Sequence, residues 1–100
     1  MAVEHVMCDK TELVLVVLEK KKAVTLNVRY DEIQSIRFQP CKEFKFLSKV
    51  DSEKIVIATS KYPKPVVYTK RKEKKYFEKY KTELEKFAKN NNITFYNDLK

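Results

Sequence analysis

The segment NVRYDEIQSIRF, Asn27–Phe38, decides how the chain passes from one strand to the next. Its side chains alternate between apolar and polar up to Tyr30, stop alternating at Asp31-Glu32, and become apolar again at Ile33 and Ile36. The chain contains no glycine, so the break cannot be a tight turn of the Asn-Gly kind. The Asp31 side chain can instead form a hydrogen bond with the nearby backbone and make a turn without glycine. The segment therefore predicts a corner between two consecutive strands.

Two strands joined by a basic loop precede this corner. Leu13–Leu18 is apolar at every position, which predicts a strand covered on both faces. Lys20–Lys22 follows as a hairpin loop. Ala23–Tyr30 alternates between apolar and polar residues, as a half-buried antiparallel strand does. The first two predicted strands therefore form a hairpin with a basic tip.

Several shorter strand signals follow the corner. Pro40 is expected to end the third strand or to mark a sheet edge, because proline cannot donate a ladder hydrogen bond. Asp51-Ser52 predicts a turn, and the segment from Pro63 to Pro65 predicts a loop. The predicted strands after the corner are Ile33–Phe38, Phe44 towards Val50, one containing Ile55 and Ile57, and Val66–Tyr68.

The apolar period changes to that of a helix near the end of the chain. In KKYFEKYKTELEKFAKN, residues 74–90, the side chains at helical spacing form an apolar stripe that predicts a docking face for the sheet. Asn90–Asn92 is expected to end this helix, and Ile93–Tyr96 to fold back as a short strand or packed tail. The residues expected to share one core are Val24, Leu26, Val28, Ile36, Ile57, Leu84 and Phe87.

The order of elements predicts the fold class. About six antiparallel strands followed by one helix indicate a mainly β protein, bent into a sandwich or barrel that the C-terminal helix caps. The 100 residues suit a single domain over 1–100, with a core over roughly 11–91 and short extensions at both ends. The longest apolar run, Leu13–Leu18, is far shorter than the roughly 20 residues of a membrane helix. We expect a cytoplasmic protein with Cys8 and Cys41 as free thiols.

Charge is the main functional signal in the composition. The net charge of +8 favours nucleic acid, membrane surfaces or acidic proteins as partners. Only three of the 22 basic residues are arginine, the residue that recognises phosphate with two parallel hydrogen bonds, and a lysine-rich compositional bias would produce the same charge. The absence of glycine excludes a phosphate-binding P-loop and a dinucleotide-binding turn.

Catalytic and metal sites find little support in the residue pattern. His5 is the only histidine, and near the N-terminus we expect it to be mobile and without a partner. The spacing of His5 and Cys8 resembles a ligand pair, but zinc needs four ligands and no second close pair exists. Asp31-Glu32 is expected to be a turn, since adjacent strand residues point to opposite faces. We predict no enzyme, metal or cofactor, and expect joint substitution of His5 and Cys8 to leave folding intact.

The corner resembles a family motif. A strand ending in hydrophobic-x-Tyr-Asp-x-Ile and followed by x-Ser-Ile is similar to bacterial pleckstrin-homology-like and GRAM-like domains. Here the motif residues are Val28, Tyr30, Asp31, Ile33, Ser35 and Ile36. The resemblance implies a seven-stranded fold with a terminal helix, the seventh strand coming from Ala2–Cys8 or Ile93–Tyr96. The helix lacks the tryptophan that is common in eukaryotic members.

The predicted function is a non-catalytic binding or adaptor module, with a protein as the leading partner. It would present the Lys20–Lys22 loop, the sheet edge after Pro63, or the helix, by strand addition or groove binding. The resemblance also implies binding of anionic lipid headgroups through a basic first hairpin, here Lys20, Lys21, Lys22 and Arg29. A further alternative is nucleic-acid binding through the basic start of the helix, Lys70, Arg71, Lys72, Lys74 and Lys75.

Overall fold

A computed structural model describes residues 4–99 of the chain, with the side chain of Lys45 left out. These residues form a mainly β protein with one helix towards the C-terminus, as the sequence predicts. The strands are β1 Val6–Cys8, β2 Glu12–Glu19, β3 Lys22–Arg29, β4 Ile33–Lys45, β5 Ser48–Thr59, β6 Val66–Thr69 and β7 Phe95–Asn97, and the helix α1 is Phe77–Asn90. No helix within residues 4–99 is long and apolar enough to cross a membrane.

The corner after β3 is a single 3-10 turn at Tyr30–Glu32, which confirms a turn made without glycine. The residue that closes it is Glu32 and not Asp31: the Arg29 backbone N–H donates to Glu32 Oε1 at 2.9 Å. The Asp31 carboxylate instead lies 3.6 Å from the Arg29 guanidinium. The Tyr30 N–H donates to the carbonyl of Thr11 at 2.9 Å, so the corner is also attached to the start of β2.

The strands form two separate sheets and do not close into a barrel, which corrects the barrel alternative. One sheet has the order β1-β2-β3 and the other β6-β5-β4-β7. All neighbours are antiparallel except β4 and β7, which run parallel. Both segments that were considered as the source of a seventh strand contribute one. β1 lies in the described part of Ala2–Cys8, and β7 begins at Phe95, within Ile93–Tyr96.

The second hairpin is longer than the sequence indicates. Of the two alternatives predicted for Pro40, a strand end is wrong, because Pro40 pairs with Glu53 within β4, and a sheet edge is confirmed. The predicted turn at Asp51-Ser52 is wrong, because both residues lie inside β5. The turn is instead at positions 46–47, between the Lys45–Ser48 pair. The last pair between β4 and β7 involves Phe38, so β4 has no second strand neighbour beyond it within residues 4–99, and proline is tolerated there.

The core lies between the sheets and the helix. Leu84, Phe87, Val28, Ile36 and Ile57 are all buried in one cluster, as predicted, together with Val6 from β1. Val24 and Leu26 point the same way but are only half-buried, because β3 is the outermost strand of its sheet. The prediction that Leu13–Leu18 is covered on both faces is wrong. Only Leu13 and Leu15 are buried, and Leu18 is 64 % exposed.

The helix begins later than the sequence pattern indicates. Residues 70–76 form consecutive turns, and α1 starts at Phe77 with Glu78 in its first turn. The basic run therefore precedes the helix, and its charges do not lie in the first turn where they would oppose the helix dipole. The helix ends as predicted: Asn91 donates its N–H to the carbonyl of Phe87, and Asn92 adopts the left-handed conformation that follows many helices.

Candidate binding groove

A groove of about 890 Å³ lies where the two sheets separate. It is lined on one side by the end of β2, from Val16 to Glu19, and on the other side by β6 and the loop before it. The Tyr68 hydroxyl donates to the carbonyl of Val16 at 2.9 Å, which joins the two sides at the floor. The Tyr62 hydroxyl donates to the carboxylate of Glu19 and makes a second crossing contact. The walls are thus held together by side chains, and not by strand pairing.

Among residues 4–99, both walls are strand edges without a further strand neighbour. Between Glu4 and Leu99, β6 pairs with β5 alone, and β1 covers β2 only from Leu13 to Leu15. Beyond Leu15, one further bond among residues 4–99, from the Val16 N–H to the carbonyl of His5 at 2.8 Å, continues the β1 ladder. Within residues 4–99, the far end of β2 therefore has a strand neighbour on its β3 side only.

The hydrogen-bond alternation shows which backbone groups face the groove. The Lys70 N–H donates to Glu53 at 2.9 Å, so every second residue back along β6 also points its N–H towards β5. Val67, between those positions, points its N–H and carbonyl away from β5. On β2, the Val16 N–H points away from β3, and the same alternation directs the backbone groups of Leu18 away from β3. Leu18 and Val67 thus offer backbone donors and acceptors to a third strand.

The groove is rimmed by cations. Two parts of the predicted anion sites meet here, because Lys20–Lys22 at the tip of the first hairpin and Lys72 from the second cluster line the same groove. Lys64, which lies outside both clusters predicted from the sequence, joins them. The carboxylates among the lining residues, Glu19 and Glu73, are each engaged by a side chain of this protein. The rim therefore has a positive excess that is available to a ligand.

The other predicted anion-binding residues lie outside the groove. Arg29 is at the opposite end of β3 from Lys22 and is occupied by Asp31. Lys70 lies 3.7 Å from the carboxylate of Glu78. The remaining members are Arg71, whose guanidinium donates to the carbonyl of Phe44, Lys75, which lies 5.7 Å from the ring centre of Tyr76, and the exposed Lys74.

A buried polar cluster that the sequence did not predict forms the floor of the groove. Glu73 is 7 % exposed, and its carboxylate oxygens lie 2.8 and 2.9 Å from His5 Nδ1. The Tyr80 hydroxyl donates to Glu73 Oε1 at 3.2 Å and accepts the backbone N–H of His5 at 2.7 Å. His5 is therefore a partnered residue, which contradicts the expectation of a mobile histidine. The available signal was Glu73 itself, the one acid inside the basic run 70–75.

The burial of the groove floor shifts the pKa values of its two tyrosines, Tyr68 and Tyr80. Loss of hydration raises the pKa of Tyr80 to about 12, and burial also raises the pKa of Tyr68. Both hydroxyls therefore stay protonated and keep donating their hydrogen bonds at physiological pH. The cluster holds β1, the segment before α1 and the helix itself in fixed positions below the groove, which is a structural task.

The cysteines lie apart from this arrangement as free thiols. Burial raises the pKa of Cys8 to about 12, so its thiolate is scarce at neutral pH. In the described part of the chain, no three His, Cys, Asp or Glu side chains converge as metal ligands do. Comparison of the chain with protein-family models, with curated proteins and with solved structures found no match.

Proposed function

We propose that this protein is a non-catalytic binding module that takes an extended segment of a partner protein into the groove between β2 and β6. The observation that carries the proposal is a pair of strand edges that line one groove and have no further strand neighbour within residues 4–99. An extended segment placed there can exchange backbone hydrogen bonds with Leu18, with Val67 or with both. Strand addition of this kind derives its affinity from the main chain and its specificity from the side chains around it.

The rim favours an acidic segment. Lys20–Lys22, Lys64 and Lys72 line the groove, and the two carboxylates there are already engaged. Lysines act as point charges that attract acidic side chains without demanding one geometry. The exposed Leu18 and Val67 side chains offer apolar contacts between these charges. β6 has only four residues, so few backbone bonds can form and we expect weak to moderate affinity.

Fluorescence anisotropy with two labelled peptides of about ten residues tests this proposal. One peptide alternates glutamate with valine, and the other alternates lysine with valine. We expect the acidic peptide to bind and the basic one not to bind. Replacing Lys20, Lys21 and Lys22 with glutamate should lower the affinity for the acidic peptide by at least about tenfold. Added salt should lower this affinity further.

A proline substitution tests the backbone contact separately from the charge. Val67→Pro removes a donor from the free edge of β6 and should weaken binding by at least about fivefold, since one backbone hydrogen bond contributes about 1 kcal/mol. Thr25→Pro is the matched control, because Thr25 lies on the free edge of β3, where its N–H also points away from the neighbouring strand. Equal affinities for the wild type and a folded Val67→Pro variant would refute strand addition.

The same first hairpin supports a second candidate, binding of an anionic lipid headgroup. Lys20, Lys21 and Lys22 are consecutive and exposed, and the family resemblance implies that role. Nucleic-acid binding has weaker support, because Lys70 and Arg71 are already engaged by groups of this protein. The lysine-to-glutamate variant discriminates between the candidates when vesicles, peptides and DNA are compared as ligands.

The pleckstrin-homology-like assignment and the cytoplasmic location are parts of the same proposal. Serial antiparallel strands followed by a docked helix support the assignment, while the gap between β2 and β6 departs from a closed barrel. The free thiols Cys8 and Cys41 support a reducing compartment.

A further inference from the structure

The hairpin of β4 and β5 extends beyond the rest of its sheet as a two-stranded ribbon. From the Cys41–Ser52 pair to the Lys45–Ser48 pair there are five residue pairs, and within residues 4–99 neither β6 nor β7 pairs with them. Five pairs correspond to a ribbon of about 17 Å. The connection at positions 46–47 is therefore held away from the core on a paired scaffold.

The tip of this ribbon is apolar and nearly fully exposed. Leu47 is 99 % exposed and Phe46 is 90 % exposed, and Phe44 just behind them is 61 % exposed. These are the residue types that a fold normally buries. They lie outside the core cluster and outside the groove, so neither folding nor the proposed peptide site uses them.

The backbone at the tip adds an independent observation. Phe46 has φ of 60°, in the left-handed region that glycine or asparagine adopts most readily. A bulky aromatic residue is a poor choice there for the turn alone. Its presence at a nearly fully exposed position of the ribbon indicates that the side chain has a use outside the fold.

Cations surround the apolar tip. The Lys49 ammonium lies 5.7 Å from the centre of the Phe44 ring, and the Arg71 guanidinium donates to the carbonyl of Phe44. The sequence FKFLSK, residues 44–49, contains two lysines and no acid. The tip therefore combines exposed apolar side chains with positive charge.

The nearby acids are engaged within the protein. Asp51 accepts the ammonium of Lys42, and Glu43 accepts the hydroxyl of Ser52 and the backbone N–H of Arg71. Although partial desolvation alone would raise the pKa of Glu43, these hydrogen bonds hold it below its ordinary value. The carboxylates close to the tip thus do not counter the charge that Lys49 presents.

We propose that this tip inserts Phe46 and Leu47 into the interface of an anionic lipid bilayer, with Lys49 at the depth of the phosphates. Apolar and aromatic side chains backed by cations suit that boundary, where each cation near an anionic surface contributes about fivefold in affinity. A second copy of this chain is less suitable as the occupant, because two tips would bring like charges together on proteins of net charge +8. The site is separate from the groove, and its test does not depend on the peptide.

The absence of tryptophan from the chain allows a direct test. We would introduce an indole with Leu47→Trp and record its emission with vesicles of phosphatidylcholine containing about one third phosphatidylserine. The expected result is a blue shift and quenching by bromine-labelled acyl chains, both smaller with pure phosphatidylcholine. Leu18→Trp, at another exposed apolar site, is the matched control and should show neither change.

Sedimentation with the same vesicles tests the natural side chains. Replacing both apolar tip residues, Phe46→Ser with Leu47→Ser, should reduce the bound fraction by at least about tenfold. Val67→Ser removes an exposed apolar side chain from the groove and should leave lipid binding unchanged.

Three outcomes would overturn the proposal. One is unchanged emission of the Leu47→Trp variant on the anionic vesicles. A second is a shift of the Leu18→Trp emission alone, which would place the lipid contact on the first hairpin. A third is dimerisation without lipid that the double serine variant abolishes, which would make a second copy the occupant.

Discussion

Glu73 is the residue whose substitution tests the structure most sharply. Its carboxylate is almost completely buried and accepts hydrogen bonds from Tyr80 and, over 2.8 Å, from His5. Hydrogen bonds to a charged group contribute about 1.5–3 kcal/mol each, and neutral ones about 0.5–1.5 kcal/mol. Glu73→Gln keeps the shape and converts two charged contacts into neutral ones at best. The free energy of unfolding is therefore expected to fall by about 2–3 kcal/mol. The lower end is favoured because the variant no longer buries a charge.

Urea unfolding followed by circular dichroism measures this loss. Glu85→Gln is the control, because Glu85 is partly exposed on the helix and its pair with Lys89 should contribute only about 0.3–0.5 kcal/mol. A double-mutant cycle with His5→Ala then isolates the His5–Glu73 contact, with an expected coupling of at least about 1 kcal/mol. Strict additivity, or a Glu73→Gln loss no larger than that of the control, would refute the buried cluster. A coupling of this size would also contradict the expectation, drawn from the sequence, that substituting His5 leaves folding intact.

Three further predictions concern the core, the thiols and alkaline pH. Leu84→Ala should lower the free energy of urea unfolding by about 2–5 kcal/mol, against less than about 0.5 kcal/mol for the exposed control Lys86→Ala; a loss under about 1 kcal/mol would mean that the helix does not dock as described. Because burial raises the pKa of Cys8 to about 12, Ellman's reagent should modify Cys41 first and Cys8 only in denaturant, and equal labelling rates of the native protein would contradict this. Burial raises the pKa of Tyr80 to about 12 against about 10 in an unfolded chain, so its contribution is complete below about pH 10 and is lost as the pH rises through 12. Between about pH 9 and 11 the Tyr80→Phe variant should therefore lose about 1 kcal/mol less stability than the wild type, and parallel losses would disprove the assignment.

The fold class was predictable because it depends on local periodicity. The alternation of Ala23–Tyr30 and the helical stripe from Phe77 to Phe87 each select one inward face, and the structure buries Val28 with the helical stripe in one core against which Leu26 packs. The corner at Tyr30–Glu32 was predictable because a break in alternation without glycine leaves few other local structures. Prediction was weaker for the strand limits around Pro40, since proline is excluded from a strand only where its neighbour needs the missing N–H. Whether that neighbour exists depends on where β7 ends.

The candidate groove was only half predictable. The cations were visible as clusters, but their convergence requires the tip of the first hairpin and the segment before the helix to meet across two sheets. The edges of β2 and β6 are free because no further strand among residues 4–99 pairs with them, and no local sequence pattern encodes a missing partner. The exposure of Phe46 was hidden for a related reason: alternating phenylalanines indicate a buried strand face until the length of the ribbon places them beyond the core.

The sequence alone determined a glycine-free, mainly β chain with one amphipathic helix, a basic surface and a corner after the second of its long strands. These properties follow from composition and from the periods of strand and helix, which act over a few residues. Only the tertiary structure decided that the sheets stay open between β2 and β6, that His5 meets Glu73 below that opening, and that an apolar tip projects beyond the sheet. Each of these depends on contacts between segments far apart in the chain, and such contacts form only when the whole core packs.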